Sequence, residues 1–99
     1  MAKVILSMQY EIDVKKRDEF LATTQQLKSH YASNPNISYI VCEQKGKKNA
    51  FAEMFIAVSE EAYTQFKESE DQEADNLSEK ISTFMKGGKA KYATYIETL

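Results

Sequence analysis

Residues 50–63 read Ala-Phe-Ala-Glu-Met-Phe-Ile-Ala-Val-Ser-Glu-Glu-Ala-Tyr, and this stretch decides the fold. The first nine residues predict a strand that is apolar on both faces apart from Glu53, which is the pattern of a strand covered on both sides. Ser59 then predicts a helix cap, with two glutamates in the first turn of a helix over residues 60–68. A strand therefore runs into a capped helix without a linker.

The N-terminal third of the chain predicts another strand followed by a helix. Residues 3–12 alternate with period two, as a strand does, and Asp13 follows as a cap for the next helix. Asn and Pro in residues 34–36 stop that helix. The apolar face of the strand consists of Val4, Leu6, Met8, Tyr10 and Ile12, and the helix stripe of Phe20, Thr24, Leu27 and Tyr31.

Two further strands and a second helical region complete the pattern. Residues 37–45 predict a strand that forms a hairpin with the strand over residues 50–58, through a polar turn at 46–49. After a polar stretch at 69–73 that breaks or bends the helix, an apolar stripe runs from Ala74 to Met85 and ends at Gly87-Gly88. Residues 90–96 predict the last strand.

The resulting order β-α-β-β-α-β predicts an α+β, ferredoxin-like split βαβ fold. We expect one domain over residues 1–99, with a four-stranded antiparallel sheet and helices on one face. The other face would carry Ile5, together with Ile40 or Val41 and Met54 or Phe55, depending on register. Such an apolar surface predicts a homodimer.

The composition excludes several classes of function. A net charge of −2 in 99 residues offers no basic face for nucleic acid and no attraction to anionic lipid. The single cysteine excludes an intrachain disulfide. The first residues lack the pattern of a signal peptide, so we expect a cytoplasmic protein with neither nucleic-acid nor membrane partners.

Nearly the whole chain resembles the dimeric α+β barrel superfamily, and within it the antibiotic-biosynthesis-monooxygenase-like domains. Residues 34–39, Asn-Pro-Asn-Ile-Ser-Tyr, are similar to the family's Pro-Gly-x-x-x-Tyr step. Residues 51–55, Phe-Ala-Glu-Met-Phe, resemble the family's strand with a glutamate before an aromatic residue. Residues 59–63 resemble its Ser/Asp-x-Glu-Ala helix start, and Glu19-Phe20 follows the opening strand.

The resemblance implies a homodimer in which two sheets face each other, with a pocket between sheet and helices in each subunit. Haem-degrading members place an asparagine on the first strand, a tryptophan on the third and a histidine on the following helix. Here the first-strand polar residues are Ser7 and Gln9, Phe55 stands at the tryptophan position, and Gln65 or Phe66 replaces the histidine. The resemblance therefore favours the cofactor-free members, and we expect no cofactor.

Glu53 is the foremost candidate for catalysis because it interrupts an apolar strand. A buried carboxyl has a raised pKa and can act as a base, although the pattern favours the alternative, a structural pair with a Lys or Tyr of a neighbouring strand or subunit. Tyr39 and Tyr63 are the other catalytic candidates. Tyrosines and phenylalanines could line a cavity for a flat aromatic ligand, or simply pack the core. The pocket candidates are Tyr10, Phe55, Phe66 and Tyr92.

The sequence favours structural roles for His30 and Cys42. His30 is predicted late in the first helix, with no carboxylate that the sequence places to orient it. Cys42 lies mid-strand, where a cysteine usually packs as a small apolar group. One histidine and one cysteine do not supply the usual zinc ligands, so we expect no metal.

Two functions remain open from the sequence. The first is a monooxygenase-like protein that oxidises a small aromatic or quinol substrate without a cofactor. The second is a non-catalytic homodimer that binds a small ligand or acts in a stress response.

Overall fold

The structure is a computed structural model, and it describes residues 2–99. The strands are β1 (Val4–Glu11), β2 (Ile37–Glu43), β3 (Ala50–Ala57) and β4 (Lys91–Ile96). The helices are α1 (Arg17–Tyr31), α2 (Glu60–Glu68) and α3 (Gln72–Ser82), and short 3-10 turns lie at Val14–Lys16 and Lys86–Gly88.

The four strands form one antiparallel sheet in the order β2-β3-β1-β4. The central strands are therefore β1 and β3, and each helical region connects two strands of the same sheet. This arrangement confirms the predicted α+β, ferredoxin-like split βαβ fold.

Register settles which side chains share each face of the sheet. Glu53 pairs with Met8 on one side and Val41 on the other, so these three point towards the helices together with Phe55. Ile40 pairs with Met54, and both point to the opposite, open face. Of the alternatives left by the sequence, Ile40 and Met54 therefore belong to the open face, whereas Val41 and Phe55 do not.

The core lies between the sheet and α1. Phe20 and Leu27 of α1 are completely buried, and the Phe20 ring lies 4.5 Å from the Phe51 ring of β3. Helix α3 packs against α1 rather than centrally on the sheet, and its Ile81 is 1% exposed. Helices α1 and α2 cover β2 and β3, so the edge strand β4 remains largely exposed.

The second helical region differs from the expected stripe in its extent. Residues 69–71 separate α2 from α3, which confirms the predicted break, but α3 ends at Ser82 rather than running to Met85. Met85 instead forms a β-bridge with Ile12. Gly87 and Gly88 have φ values of 67° and 65°, a conformation that glycine adopts without strain, and they end a short turn instead of a long helix.

The first helix also starts differently from the prediction. Asp13 accepts a hydrogen bond from the Lys15 amide at 3.0 Å, so it caps the short 3-10 turn ahead of α1 rather than α1 itself. Val14–Lys16 therefore form this 3-10 turn, whereas a helix capped directly by Asp13 would have used them as its first turn.

A polar clamp joins α1 to the β2–β3 hairpin. The Arg17 guanidinium donates to both carboxylate oxygens of Glu43, at 2.6 and 2.9 Å, and to Asn49 Oδ1 at 2.8 Å. Its carbon also lies 5.6 Å from the centre of the Phe51 ring. The hydrogen bond from Arg17 to Glu43 is the main cause that lowers the pKa of the Glu43 carboxyl to about 2. These contacts therefore fix the position of the β2–β3 hairpin relative to the start of α1.

Across residues 2–99, no helix has both the length and the apolar character needed to cross a membrane. The expected cytoplasmic location stays a prediction.

Ser59 provides a test of the strand-to-helix junction. Its hydroxyl accepts the Ala62 amide at 3.1 Å, as predicted for the N-cap of α2. We expect Ser59→Ala to lower the free energy of unfolding by about 1 kcal/mol, because it leaves that amide without its partner. Urea unfolding measures the change, and Ser59→Asp, which keeps an acceptor, is the matched control. Equal losses in both variants would contradict the capping role.

Candidate active site

Glu53 lies at the centre of the sheet and points into the space beneath the helices. It occupies the middle of β3, flanked by β1 and β2, and is 2% exposed. A carboxyl in that position loses its water, so it needs hydrogen-bond donors from the protein. The apolar pattern around it explains the burial, since the neighbouring helix-facing residues of β3 are Phe51 and Phe55.

Two tyrosines from the flanking strands supply those donors. The Tyr39 hydroxyl donates to Glu53 Oε2 at 2.7 Å, and the Tyr10 hydroxyl donates to Glu53 Oε1. Tyr10 is on β1 and Tyr39 is on β2, so the three residues join three adjacent strands. Within residues 2–99, every buried side-chain nitrogen and oxygen has a hydrogen-bond partner. The structural pairing with tyrosine, one of the two interpretations of Glu53, is therefore present.

The electrostatics of this triad favour the protonated forms. Burial raises the pKa of the Glu53 carboxyl above its ordinary value, while the two tyrosine donors act in the opposite direction by stabilising the carboxylate. Burial, and next the charge on Glu53, raise the pKa of Tyr10 and Tyr39. Glu53 is thus the group in the triad whose raised pKa makes it the candidate for proton transfer.

Aromatic rings form one wall of the triad. The Tyr39 ring lies 4.9 Å from the Phe55 ring, which in turn lies 5.0 Å from Phe66 of α2. Tyr31 of α1 completes this cluster, at 5.5 Å from Phe55 and 6.0 Å from Phe66. We call these four residues, Tyr31, Tyr39, Phe55 and Phe66, the aromatic cluster. The sequence indicates Tyr31 only as part of the apolar stripe of α1. Its contacts with Phe55 of β3 and Phe66 of α2 depend on how these elements pack.

The remaining predicted site residues lie elsewhere. Tyr63 is on α2, partly buried against the core, and the two oxygens of Glu53 are bound by Tyr10 and Tyr39 instead. Tyr92 is on the edge strand β4 and is 64% exposed. The structure therefore assembles Glu53, Tyr10 and Tyr39 into one group, with Phe55 and Phe66 beside it, and leaves Tyr63 and Tyr92 outside that group.

His30 departs from the sequence-based expectation. Its Nε2 lies 2.6 Å from Asp71 Oδ2 and its Nδ1 lies 3.1 Å from Glu73 Oε2, so packing provides two carboxylates that no sequence pattern had indicated. The hydrogen bond to Asp71 raises the pKa of His30, and the same contact lowers the pKa of Asp71. The two residues are 41 positions apart, and no local pattern announces their contact.

Cys42 is exposed on the open face of the sheet, so it is not packed as a small apolar group in this chain. A cleft of about 660 Å³ runs past it at one end of the sheet. The cleft also touches Gln9, Lys47, Tyr10 and Phe51, so its lining is mixed polar and apolar. Within residues 2–99, no three His, Cys, Asp or Glu side chains are grouped as metal ligands.

Glu53 gives a pH-dependent test of the triad. Because its folded-state pKa lies above the ordinary value of 4.5, the folded protein binds the proton more tightly, so this residue's contribution is most favourable below pH 4.5. That contribution is lost as the pH rises through the folded-state pKa. Glu53→Gln removes the titration, so we expect the stability of the wild-type protein, relative to Glu53→Gln, to fall as the pH rises above 4.5.

Urea unfolding at several pH values measures this difference. Glu68→Gln, at an exposed position of α2, is the control and should follow the wild-type profile. A difference between wild type and Glu53→Gln that stays constant with pH would show that the Glu53 carboxyl has an ordinary pKa.

Comparison with known proteins identifies the fold. No family model and no curated protein sequence matches the chain. A conserved protein from Methanosarcina mazei superposes with a TM-score of 0.84 at 12% identity, over 99% of this chain and 95% of that one. A candidate antibiotic biosynthesis monooxygenase from Caulobacter crescentus gives 0.81 at 12% identity, over 99% and 91%.

SnoaB, a cofactor-independent oxygenase from Streptomyces nogalater, gives a TM-score of 0.74 at 8% identity, over 94% of this chain and 90% of that one. At such identities the likeness concerns the fold alone. The resemblance inferred from residues 34–39 and 51–63 is confirmed at that level: over its full length, this chain has the fold of the antibiotic-biosynthesis-monooxygenase structures.

Proposed function

We propose that this protein oxidises a small aromatic or quinol substrate with molecular oxygen and without a cofactor, using Glu53 as the base. The observation that carries the proposal is a carboxyl buried at the centre of the sheet, bonded by Tyr10 and Tyr39 and edged by aromatic rings. Burial raises its pKa above the ordinary value, and a carboxylate with a raised pKa accepts a proton more readily. The fold it shares with SnoaB, a cofactor-independent oxygenase, supports the same reaction class.

An anthrone-type substrate, which carries a CH₂ group between two aromatic rings, illustrates the proposed reaction. Glu53 removes one proton from that carbon, and the resulting carbanion is stabilised by the rings and by its carbonyl oxygen. The carbanion is oxidised by O₂, a C–O bond forms, and the resulting peroxide anion takes back the proton from Glu53 to give a hydroperoxide. Loss of water breaks the O–O bond and leaves a C=O group, so CH₂ and O₂ become C=O and H₂O.

The tyrosines would position the substrate and the base. Tyr39 holds Glu53 Oε2 through its hydroxyl, and a substrate oxygen that displaced this contact would receive the same hydroxyl as a donor. Such a donor stabilises the enolate form of the carbanion. Because Glu53 is 2% exposed, the substrate must displace side chains of the aromatic cluster to reach it.

We further propose that the protein acts as a homodimer whose open sheet faces pack together. The open face carries Ile5, Ile40, Met54 and Ile56, all partly exposed, and Tyr95, which is 55% exposed. A contiguous apolar face of this kind is typical of protein–protein contact. The resemblance to dimeric α+β barrels supports the same assembly.

One observation favours a second function, a non-catalytic homodimer that binds a small ligand or acts in a stress response. Both oxygens of Glu53 are already bonded within the chain, which is the arrangement of a structural carboxyl. A binding protein needs the aromatic cluster but no free base.

Oxygen uptake with anthrone tests the catalytic proposal. After subtraction of the rate in buffer, we expect turnover by the wild-type protein and a loss of 100-fold or more in Glu53→Gln, in line with the roughly 10²–10⁴-fold contribution of general bases. Tyr39→Phe should lose less, and Tyr63→Phe decides whether that residue takes part. Glu68→Gln is the control. Thermal stabilisation by anthrone without oxygen uptake would favour the binding protein instead.

Sedimentation equilibrium at micromolar concentration tests the dimer. We expect a two-chain mass for the wild-type protein and a single-chain mass for Met54→Lys, which places a charge at the centre of the open face. Glu68→Lys makes the same residue on the helical surface and should remain dimeric. A wild-type protein that sediments as a single chain would contradict the assembly.

A further inference from the structure

A small cleft lies between the end of α1, the start of β2 and α2. Its volume is about 180 Å³. An apolar cavity of roughly 150 Å³ accommodates benzene, so this space is large enough for one aromatic ring. The residues that line it and matter here are Tyr31, Asn34, Asn36, Gln65, Phe66 and Asp71. The two rings provide flat apolar walls, and the amides and the carboxylate provide partners for a hydroxyl or carbonyl group at the edge of a ligand.

The floor of this cleft leads towards Glu53. Phe66 and Tyr31 line the cleft and are partly exposed, and both contact Phe55, which is 6% exposed. Phe55 contacts Tyr39, which is 4% exposed and donates to Glu53. Exposure therefore decreases along an unbroken line of rings from the surface to the buried carboxyl. A planar ring could replace these contacts one at a time as it moves inward.

A charged contact fixes one wall of the cleft. Asp71 accepts the Ala74 amide at 3.1 Å as the N-cap of α3, and its other oxygen lies 2.6 Å from His30. His30 also meets Glu73 at 3.1 Å, and its ring lies edge-on to Tyr31 at 5.2 Å. Because only residues 69–71 join α2 to α3, the contact between His30 and Asp71 holds this joint against the end of α1.

We propose that this cleft is the access site for Glu53, that it takes one planar aromatic ring of the substrate with its hydroxyl or carbonyl edge, and that the His30–Asp71 contact restrains its opening. This inference rests on the proposed function, since it deepens the role of the same site. The larger cleft near Lys91 also touches Tyr10 and is the rival route. Both clefts have aromatic rings on their walls. The rings of the small cleft, Tyr31 and Phe66, are partly exposed, whereas Tyr10 and Phe51 are buried, so the small cleft offers an incoming ligand aromatic rings at the surface.

Binding of phenol to the ¹⁵N-labelled protein, followed by NMR, tests the site without requiring turnover. We expect shifts concentrated at residues 34–37 and 62–71, and weaker binding of cyclohexanol, which has the hydroxyl but no flat ring. Gln65→Trp places a ring at the exposed mouth and should weaken phenol binding at least tenfold. Lys67→Trp, exposed on the same helix outside the cleft, is the matched control. Shifts centred on Gln9 and Lys91, or no shifts, would overturn the proposal.

The restraint is tested with Asp71→Asn, which keeps an N-cap acceptor but removes the charge. We expect the phenol dissociation rate from NMR line shapes to rise severalfold, with a similar rise in His30→Gln and no further rise in the double variant. Glu11→Gln, which removes the surface pair with Lys47, is the control and should leave the rate unchanged. Unchanged rates in Asp71→Asn and His30→Gln would overturn the restraint.

The same variants separate this inference from the proposed function. Phenol shifts at the small cleft, with no oxygen uptake on anthrone, would reject the reaction and keep the binding site. Full oxygen uptake in Gln65→Trp would keep the reaction and reject the small cleft as its access site.

Discussion

The structure depends on the need to satisfy a carboxyl buried in the middle of its sheet. Glu53 is placed where water does not reach, and its two oxygens obtain their donors from the strands on either side. Tyr10 and Tyr39 can reach it only when β1 and β2 pair with β3 in the observed register. A shift of one residue in either strand would send the tyrosine to the opposite face and leave a buried oxygen without a partner. The polar triad therefore selects the register as well as providing chemistry.

The helices divide the sheet into two environments with different tasks. On the covered face, α1 and α2 bury the aromatic residues of β2 and β3, which creates the apolar surroundings that perturb Glu53. The open face keeps its isoleucines, Met54 and the exposed Cys42, and β4 forms an edge with Tyr92 and Tyr95 exposed. The proposed chemistry belongs to the first face and the proposed assembly to the second, so each can change by mutation without direct effect on the other.

Local patterns in the sequence predicted much of the fold and part of the candidate site. Period-two alternation and the cap at Ser59 predicted the strands and the start of α2, because both are properties of adjacent residues. Glu53 was recognisable as the charge that interrupts an apolar strand. The partners of Glu53 were not recognisable, because the sequence does not distinguish Tyr10, Tyr39 and Tyr63. Only the pairing of distant strands decides which tyrosines contact the carboxyl. The contact between His30 and Asp71 depends in the same way on how α1 and α3 pack.

The Arg17 clamp has a consequence for how this scaffold tolerates change in length. The guanidinium of Arg17 binds Glu43 at the end of β2 and Asn49, a residue with positive φ, at the same time. It also lies over the ring of Phe51. An insertion between Glu43 and Asn49 would move these two residues apart, and the rigid, planar guanidinium of Arg17 could no longer bind both. Loop grafting at this hairpin is thus restricted to segments of equal span.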